Sequence, residues 1–324
     1  MDKRLRRRLR PAESSPQRLG RHLRDLRSRV VKATFPWWQR MGVHVVPNDF
    51  YEPVPDTRTL GAAHFSRRSA MAGIDLRQGA QLALLERFRA SYKPEVDALP
   101  IRPTGAEPHF FHDNDVFGWV DAAVHYCMLR EFRPRRVIEI GAGYSTLLAA
   151  QALEANASSG GPKAFDLVAI EPYPRRFLVE GVPAGIRLVR APVQDIPLEE
   201  FERLEAGDVL FIDSSHVAKA GSDVVHEYLE IVPRLAPGVL VHAHDVFLPA
   251  EYPPRVVLQQ RRFWTEQYLL QALLAGSRDF EVVLGACFLH LEHPDALERT
   301  FACYRRDSGM PGSFWFRRTS SAST

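Results

Sequence analysis

RRVIEIGAGYST, residues 135–146, decides how the rest of this 324-residue chain is read. A short apolar run closes on two glycines one residue apart and leads into residues suited to a helix. A buried strand, a tight turn and a helix N-terminus have this form. Gly141 and Gly143 permit the turn and a close approach of ligand to backbone. The helix that follows offers free backbone N–H groups. The third glycine of the dinucleotide fingerprint G-x-G-x-x-G is missing, and Thr146 stands there. An acid, Glu139, lies two residues before Gly141. A carboxylate at that place repels a pyrophosphate and suits an ammonium group. The turn therefore favours a cofactor with an amino-acid tail over one with a diphosphate.

Working outward, short apolar runs alternate with helical patterns. Strands are predicted at 135–140, 166–170, 186–190, 208–212, 238–242, 280–284 and 313–317, and helices at 121–132, 145–155, 222–235 and 263–275. Strands that are apolar throughout are those buried on both faces. The expected fold is α/β: a doubly wound, Rossmann-like, mostly parallel seven-stranded sheet with helices on both faces and an antiparallel edge strand. The last two strands lack a full helical pattern between them, as suits a hairpin with an elaborated turn.

In such sheets ligands bind at the carboxyl ends of the strands. The second strand ends in Glu171, which can accept both hydroxyls of a ribose. It follows Gly141 by 30 residues, longer than the roughly 20 of the dinucleotide fingerprint; the SSGGPK stretch, 158–163, accounts for the excess as a loop insertion. The third strand leads into VQDIP (193–197), the fourth into FIDSSH (211–216) and the fifth into HAHDVF (242–247).

Taken together, these motifs resemble the class I S-adenosylmethionine-dependent methyltransferases, and among them the catechol-type and small-molecule O-methyltransferases. The likeness covers roughly residues 108–318 and part of 44–56 (HVVPNDFYEPVPD). It implies that Glu139, Gly141 and Gly143 line the methionine part of the cofactor, that Glu171 holds the ribose, and that Val193 and Gln194 flank the adenine. Asp213 would end the fourth strand at the reaction centre and also touch the cofactor. The stretch HDNDVFGWVD (112–121) would help close the pocket, with Asp115 or Asp121 as a contact. The catechol-type pattern has a lysine base three residues after the fourth-strand acid. Here that residue is His216, whose ordinary pKa of about 6.5 suits a base near neutrality. The pattern also takes a divalent metal from the acids after strands four and five. Here the donors would be Asp213, His244 and Asp245, the carboxylates suiting magnesium or manganese. Without a metal, His216, His244 and Asp245 would form a proton-accepting cluster. His242 is expected to face the opposite side of the strand and to be structural.

Two other classes compete with this reading. A nicotinamide-dependent oxidoreductase is opposed by Thr146 and Glu139. A non-catalytic nucleic-acid-binding module would use the basic N-terminal arm. Residues 1–32 carry 12 Lys or Arg against 3 Asp or Glu, net +9, whereas the remainder carries 30 against 36, net −6. An acidic body without an aromatic and basic platform argues against nucleic acid. In the arm, RLRRRLRPAESSPQ (4–17) reads as disordered. Leu19, Leu23, Leu26 and Val30 then follow at helical spacing among arginines, a basic amphipathic helix able to lie on anionic lipid. The organisation expected is an arm (1–32), a Pro- and aromatic-rich cap (33–107) with a helix near 75–91, the methyltransferase domain (108–318) and a short tail (319–324). The expected acceptor is a hydroxyl-bearing small molecule or glycan. Three cysteines without metal-binding spacing, no apolar run near the roughly 20 residues of a membrane span, and no secretory-type apolar leader fit a cytoplasmic protein, peripheral at the membrane through its arm.

Overall fold

The computed structural model of the chain describes residues 15–105, 108–181 and 185–319. It divides into two compact units between Leu60 and Gly61, so the stretch 33–107, expected to form one cap, is shared between them. The reason lies in its apolar residues: Leu84, Leu85 and Phe88, on the helix Gln78–Ser91, are buried in the same core as Val124 and Met128.

In the first unit, residues 4–14 of the stretch expected to be disordered lie outside the described residues; Ser15, Pro16 and Gln17 open a helix that runs to Arg40. Phe35 stacks on His44 with ring centroids 5.3 Å apart, and Lys32 pairs with Glu52 at 3.3 Å. Leu23, Leu26, Val30 and Trp37, at helical spacing, are each more than half exposed.

The second unit is built on a seven-stranded sheet. The strands are β1 (Arg136–Ile140), β2 (Asp166–Ile170), β3 (Ile186–Val189), β4 (Val209–Ile212), β5 (Leu240–Ala243), β6 (Phe280–Gly285) and β7 (Phe314–Arg318). Their order across the sheet is β3-β2-β1-β4-β5-β7-β6. β1 to β5 pair in parallel, and β7 enters between β5 and β6, antiparallel to both. The segment between β6 and β7 holds two seven-residue helices, Ala286–Glu292 and Pro294–Thr300, each too short to show a helical period in sequence. Alternate strand residues feed two cores. Val137, Leu167, Val209, Phe211 and Leu240 meet the helices Trp119–Phe132 and Tyr144–Ser158. Ile138, Val168, Leu210, Ile212 and Val241 face Val224, Tyr228 and Leu270 on the other side.

The chain leaves β1 in one direction for β2 and β3, and returns past β1 to β4 and β5. The switch point therefore lies between β1 and β4, where a crevice opens at the strand ends. Backbone hydrogen bonds hold those ends together: Asp213 N donates to Ile140 O at 2.8 Å, and His244 N to Ile212 O at 3.0 Å.

Candidate active site

The glycine turn sits at this switch point. Gly141 has φ +90°, and a Cβ there would lie 1.9 Å from the carbonyl oxygen of Asp213. This glycine is required by the close approach of the β1 and β4 ends. Gly143 differs: an added Cβ would meet nothing within 4 Å, so its surface is open to a ligand. Thr146, where a third glycine was missing, accepts the Gly143 N–H at 3.0 Å and caps the helix. Glu139 lies beneath the turn and is fully buried. One of its oxygens accepts from the Ser145 hydroxyl, while Oε2 is buried without a partner. Burial, above all, pushes its carboxyl up to about 8. An orphaned acceptor beside open N–H groups fits the ammonium and carboxylate of an amino-acid tail.

At the end of β2, Glu171 accepts the Tyr173 N–H through Oε1 at 2.7 Å. On the loop after β3, Val193 is buried with the sheet's second core, whereas Gln194 is exposed and donates to Gly221 O at 3.0 Å.

The ends of β4 and β5 border a cavity of about 660 Å³ lined by Asp115, Asp213, His216, His244, Asp245 and Trp264, among others. Asp115, His216 and Asp245 all have left-handed φ, at +65°, +60° and +55°. Such conformations are costly for non-glycine residues and gather at functional sites.

His216 Nε2 lies 3.4 Å from Asp213 Oδ1 and 3.6 Å from Asp245 Oδ2. Its Nδ1 is 2.7 Å from Glu266 Oε2, and Glu266 Oε1 accepts from the Tyr228 hydroxyl at 2.7 Å. Glu266 thus fixes the ring with Nε2 turned towards the two aspartates. Ligand atoms of Asp213, His216 and Asp245 all lie within 4.8 Å of one another. Such a set could hold a metal ion, and a carboxylate behind a ligating histidine is the usual support of one.

The expected donor set contained His244 in place of His216. In the structure His244 is engaged elsewhere, with Nδ1 3.1 Å from Asp213 Oδ1 and Nε2 3.7 Å from Asp121 Oδ2. Asp121 in turn accepts the Gly312 and Ser313 N–H groups at 3.1 and 2.8 Å. Its job is to tie the start of β7 to the centre, which leaves Asp115 as the acid of that segment lining the cavity. Burial opposes charge on Asp213, but His244 and His216 outweigh it and hold the carboxyl well below the usual range. Burial likewise opposes charge on the two imidazoles, and the surrounding carboxylates raise both well above the ordinary value.

The expectation for His242 needs correcting. Residues two apart on a strand share a face, and His242 lies on the same side as His244, one step deeper. It stacks on Phe211 at 4.3 Å and on Trp315 at 4.3 Å, and is bonded to Ser313 and His125. It is structural, as expected, but for its neighbours and not its face. Glu266 and Tyr228 were not expected from sequence: nothing local marks an acid 50 residues beyond His216 as its partner.

Residues 138–246, from β1 to the end of β5, match the methyltransferase domain family. That stretch gives the chain a methyltransferase domain, of the class I S-adenosylmethionine-dependent kind. The cofactor of that class is S-adenosylmethionine, which carries the reactive methyl group itself. The methyltransferase is also 31% identical over 166 residues to an uncharacterized protein of Archaeoglobus fulgidus, covering 49% of this chain and 73% of that one. Among solved structures it is similar to the methyltransferase PaMTH1 of Podospora anserina bound to S-adenosylhomocysteine (17% identity, TM-score 0.39, 84% of this chain and 98% of that one). It is similar too to an O-methyltransferase of Bacillus cereus with the same ligand (15% identity, TM-score 0.39, 73% and 91%). Likeness at these scores adds nothing about substrate or mechanism.

Proposed function

We propose that this methyltransferase acts on a hydroxyl of a small molecule or glycan, with the acceptor oxygen held at Asp213, His216 and Asp245. The convergence of these three side chains in one half-open cavity beside the glycine turn carries the reading. Glu139, Gly143 and the first N–H groups of the following helix would receive the amino-acid tail of the cofactor. Glu171 would bind its ribose, with Val193 and Gln194 beside the adenine. Transfer from a sulfonium is an in-line displacement, so the protein's task is to align the acceptor oxygen and deal with its proton.

Two ways of dealing with that proton were expected, a histidine base or a divalent metal. The geometry favours the metal. Two carboxylates face His216 Nε2, so the nitrogen sits where a cation is stabilised, and an imidazole that already carries a proton is a poor base. The two carboxylate donors suit magnesium or manganese, and the imidazole shifts the preference towards manganese. Such an ion, when bound, lowers the pKa of a coordinated hydroxyl. The chain's own residues do the rest: Asp213 and Asp245 bind, Glu266 orients His216, His244 holds Asp213, and Trp264 packs beside the His216 ring.

Chelator should abolish methyl transfer without releasing S-adenosylhomocysteine, and added magnesium or manganese should restore it. Full activity in chelator would return the proton to His216. Glu171→Ala should weaken S-adenosylhomocysteine by about 1–3 kcal/mol through lost hydrogen bonds, measured by calorimetry.

The exposed stripe Leu23, Leu26, Val30 and Trp37, set among basic residues such as Arg27 and Arg29, supports a peripheral contact with anionic membrane from the cytoplasmic side. The full chain carrying Leu26→Glu and Val30→Glu should then sediment less with phosphatidylglycerol vesicles and keep its cofactor affinity. Equal sedimentation would remove the membrane contact.

A further inference from the structure

The mouth of the cavity carries two arginines that methyl transfer does not require. Arg255 opens a wide helical turn, Arg255–Gln259, and Arg262 follows it. The Arg262 N–H donates to Val256 O at 3.1 Å, so the segment closes on itself and sets both arginines along the cavity wall. Wide turns of this kind are rare and recur at functional sites. Arg261, between them, adopts φ +56°, a second local cost in the same segment.

Arg262 and Arg255 make no ion pair or hydrogen bond through their guanidinium groups among the described residues. Other exposed arginines of this chain, such as Arg187, Arg203 and Arg306, pair with glutamates. Arg262 is nevertheless positioned: its guanidinium lies 5.5 Å from the centre of the Trp264 ring. The buried Trp264 ring is itself 4.7 Å from that of His216. One indole therefore separates a guanidinium at the mouth from the reaction centre. The cavity is acidic at its floor, with Asp213 and Asp245, and basic at its rim.

We propose that the methyl acceptor carries a carboxylate or phosphate ester, bound by Arg255 and Arg262 while its hydroxyl lies at Asp213, His216 and Asp245. The proposal rests on the methyltransferase reading of that centre. Planar guanidinium forks match both anions. An acceptor with its anion remote from the hydroxyl is aligned by the cavity's own charge separation, and a neutral acceptor gains nothing from the rim.

The test uses the full chain saturated with S-adenosylhomocysteine and three probes with the same hydroxyl: phenol, para-hydroxybenzoate and para-hydroxyphenyl phosphate. One or both anionic probes should bind about tenfold or more tighter than phenol, and the better one identifies the anion. Arg255→Gln combined with Arg262→Gln should erase the preference and leave S-adenosylhomocysteine affinity unchanged. Equal binding of all three probes, no binding of either anion, or a preference that survives the double substitution would overturn the proposal. Failure of the wild-type chain to bind S-adenosylhomocysteine would instead bring down the methyltransferase reading beneath it.

Discussion

His242 and His244 stand two residues apart, on one face of the sheet, and both are buried. His242 lies among Phe211, Trp315, Ser313 and His125, where burial and the neighbouring imidazoles push its pKa well below the ordinary value. His244 lies between Asp213 and Asp121, near Asp245; burial acts against its charge in the same way, but the carboxylates reverse the result. The deeper region is neutral, aromatic and fully enclosed. The outer region is charged, backbone-strained and open to a cavity. Removal from water disfavours the charge on both rings, so the partners decide the protonation state. The deep region is arranged for packing, and the outer one, at a cost in backbone strain, has the groups that the proposed chemistry needs.

The largest expected effect would come from the outer region. Asp213→Asn removes one of the three converging donors and the carboxylate that holds His244. Methyl transfer should fall by about 10²–10⁴, while S-adenosylhomocysteine affinity stays within a few-fold, since the tail site is built by Gly143 and the following helix. Initial rates and calorimetry on one preparation check both halves. A variant with wild-type rate would mean that the outer region is not the reaction centre.

The next would come from the deep region. His242→Phe fills the aromatic stack but strips Ser313 and His125 of a partner, which should cost about 1–3 kcal/mol in urea unfolding. The pH dependence has a definite sign. A histidine held neutral in the fold takes up a proton on unfolding, so its contribution is lost as pH falls below the unfolded value of about 6.5. Wild type should lose up to about 1.4 kcal/mol per pH unit more than His242→Phe between about pH 6.5 and 5. His125, lowered to about 3 by burial first and His244 next, adds a loss of the same sign in both proteins. Parallel curves would show that the deep region is not held neutral.

The smallest would sharpen the boundary between the regions. Glu139 has one orphaned oxygen and a carboxyl pushed up to about 8 by burial. Binding an ammonium favours its ionised form, so S-adenosylhomocysteine affinity should rise with pH below about 8, at most about tenfold per unit, and level off above. Glu139→Gln should abolish that slope. An unchanged slope in calorimetry would separate Glu139 from the cofactor.

Much of the architecture was legible because its signals are local. All seven strands fall within two residues of where apolar runs bounded by polar or glycine residues put them. The helix expected at 222–235 instead contains a short α-helical turn, Asp223–His226, and a wide turn, Glu227–Ile231, with Pro233 unable to donate a helical hydrogen bond. In the candidate site, Asp213, His216 and Asp245 were legible because strand ends deliver them. The exchange of His244 for His216 among the converging donors was not, because both lie within four residues of a strand end.

The sequence by itself determined the alternation of strands and helices, the glycine turn with its acid, and hence the methyltransferase class. These depend on period, chain stiffness and residue type over a dozen positions. The tertiary structure alone decided that Gly141 is demanded by the backbone of Asp213, that Glu266 orients His216, that His244 serves Asp213 and Asp121, and that Arg255 and Arg262 share one rim. Each of those is a contact between segments far apart in the chain or turned by left-handed backbone. Electrostatic and steric terms depend on distances of a few ångströms that no spacing in the sequence encodes.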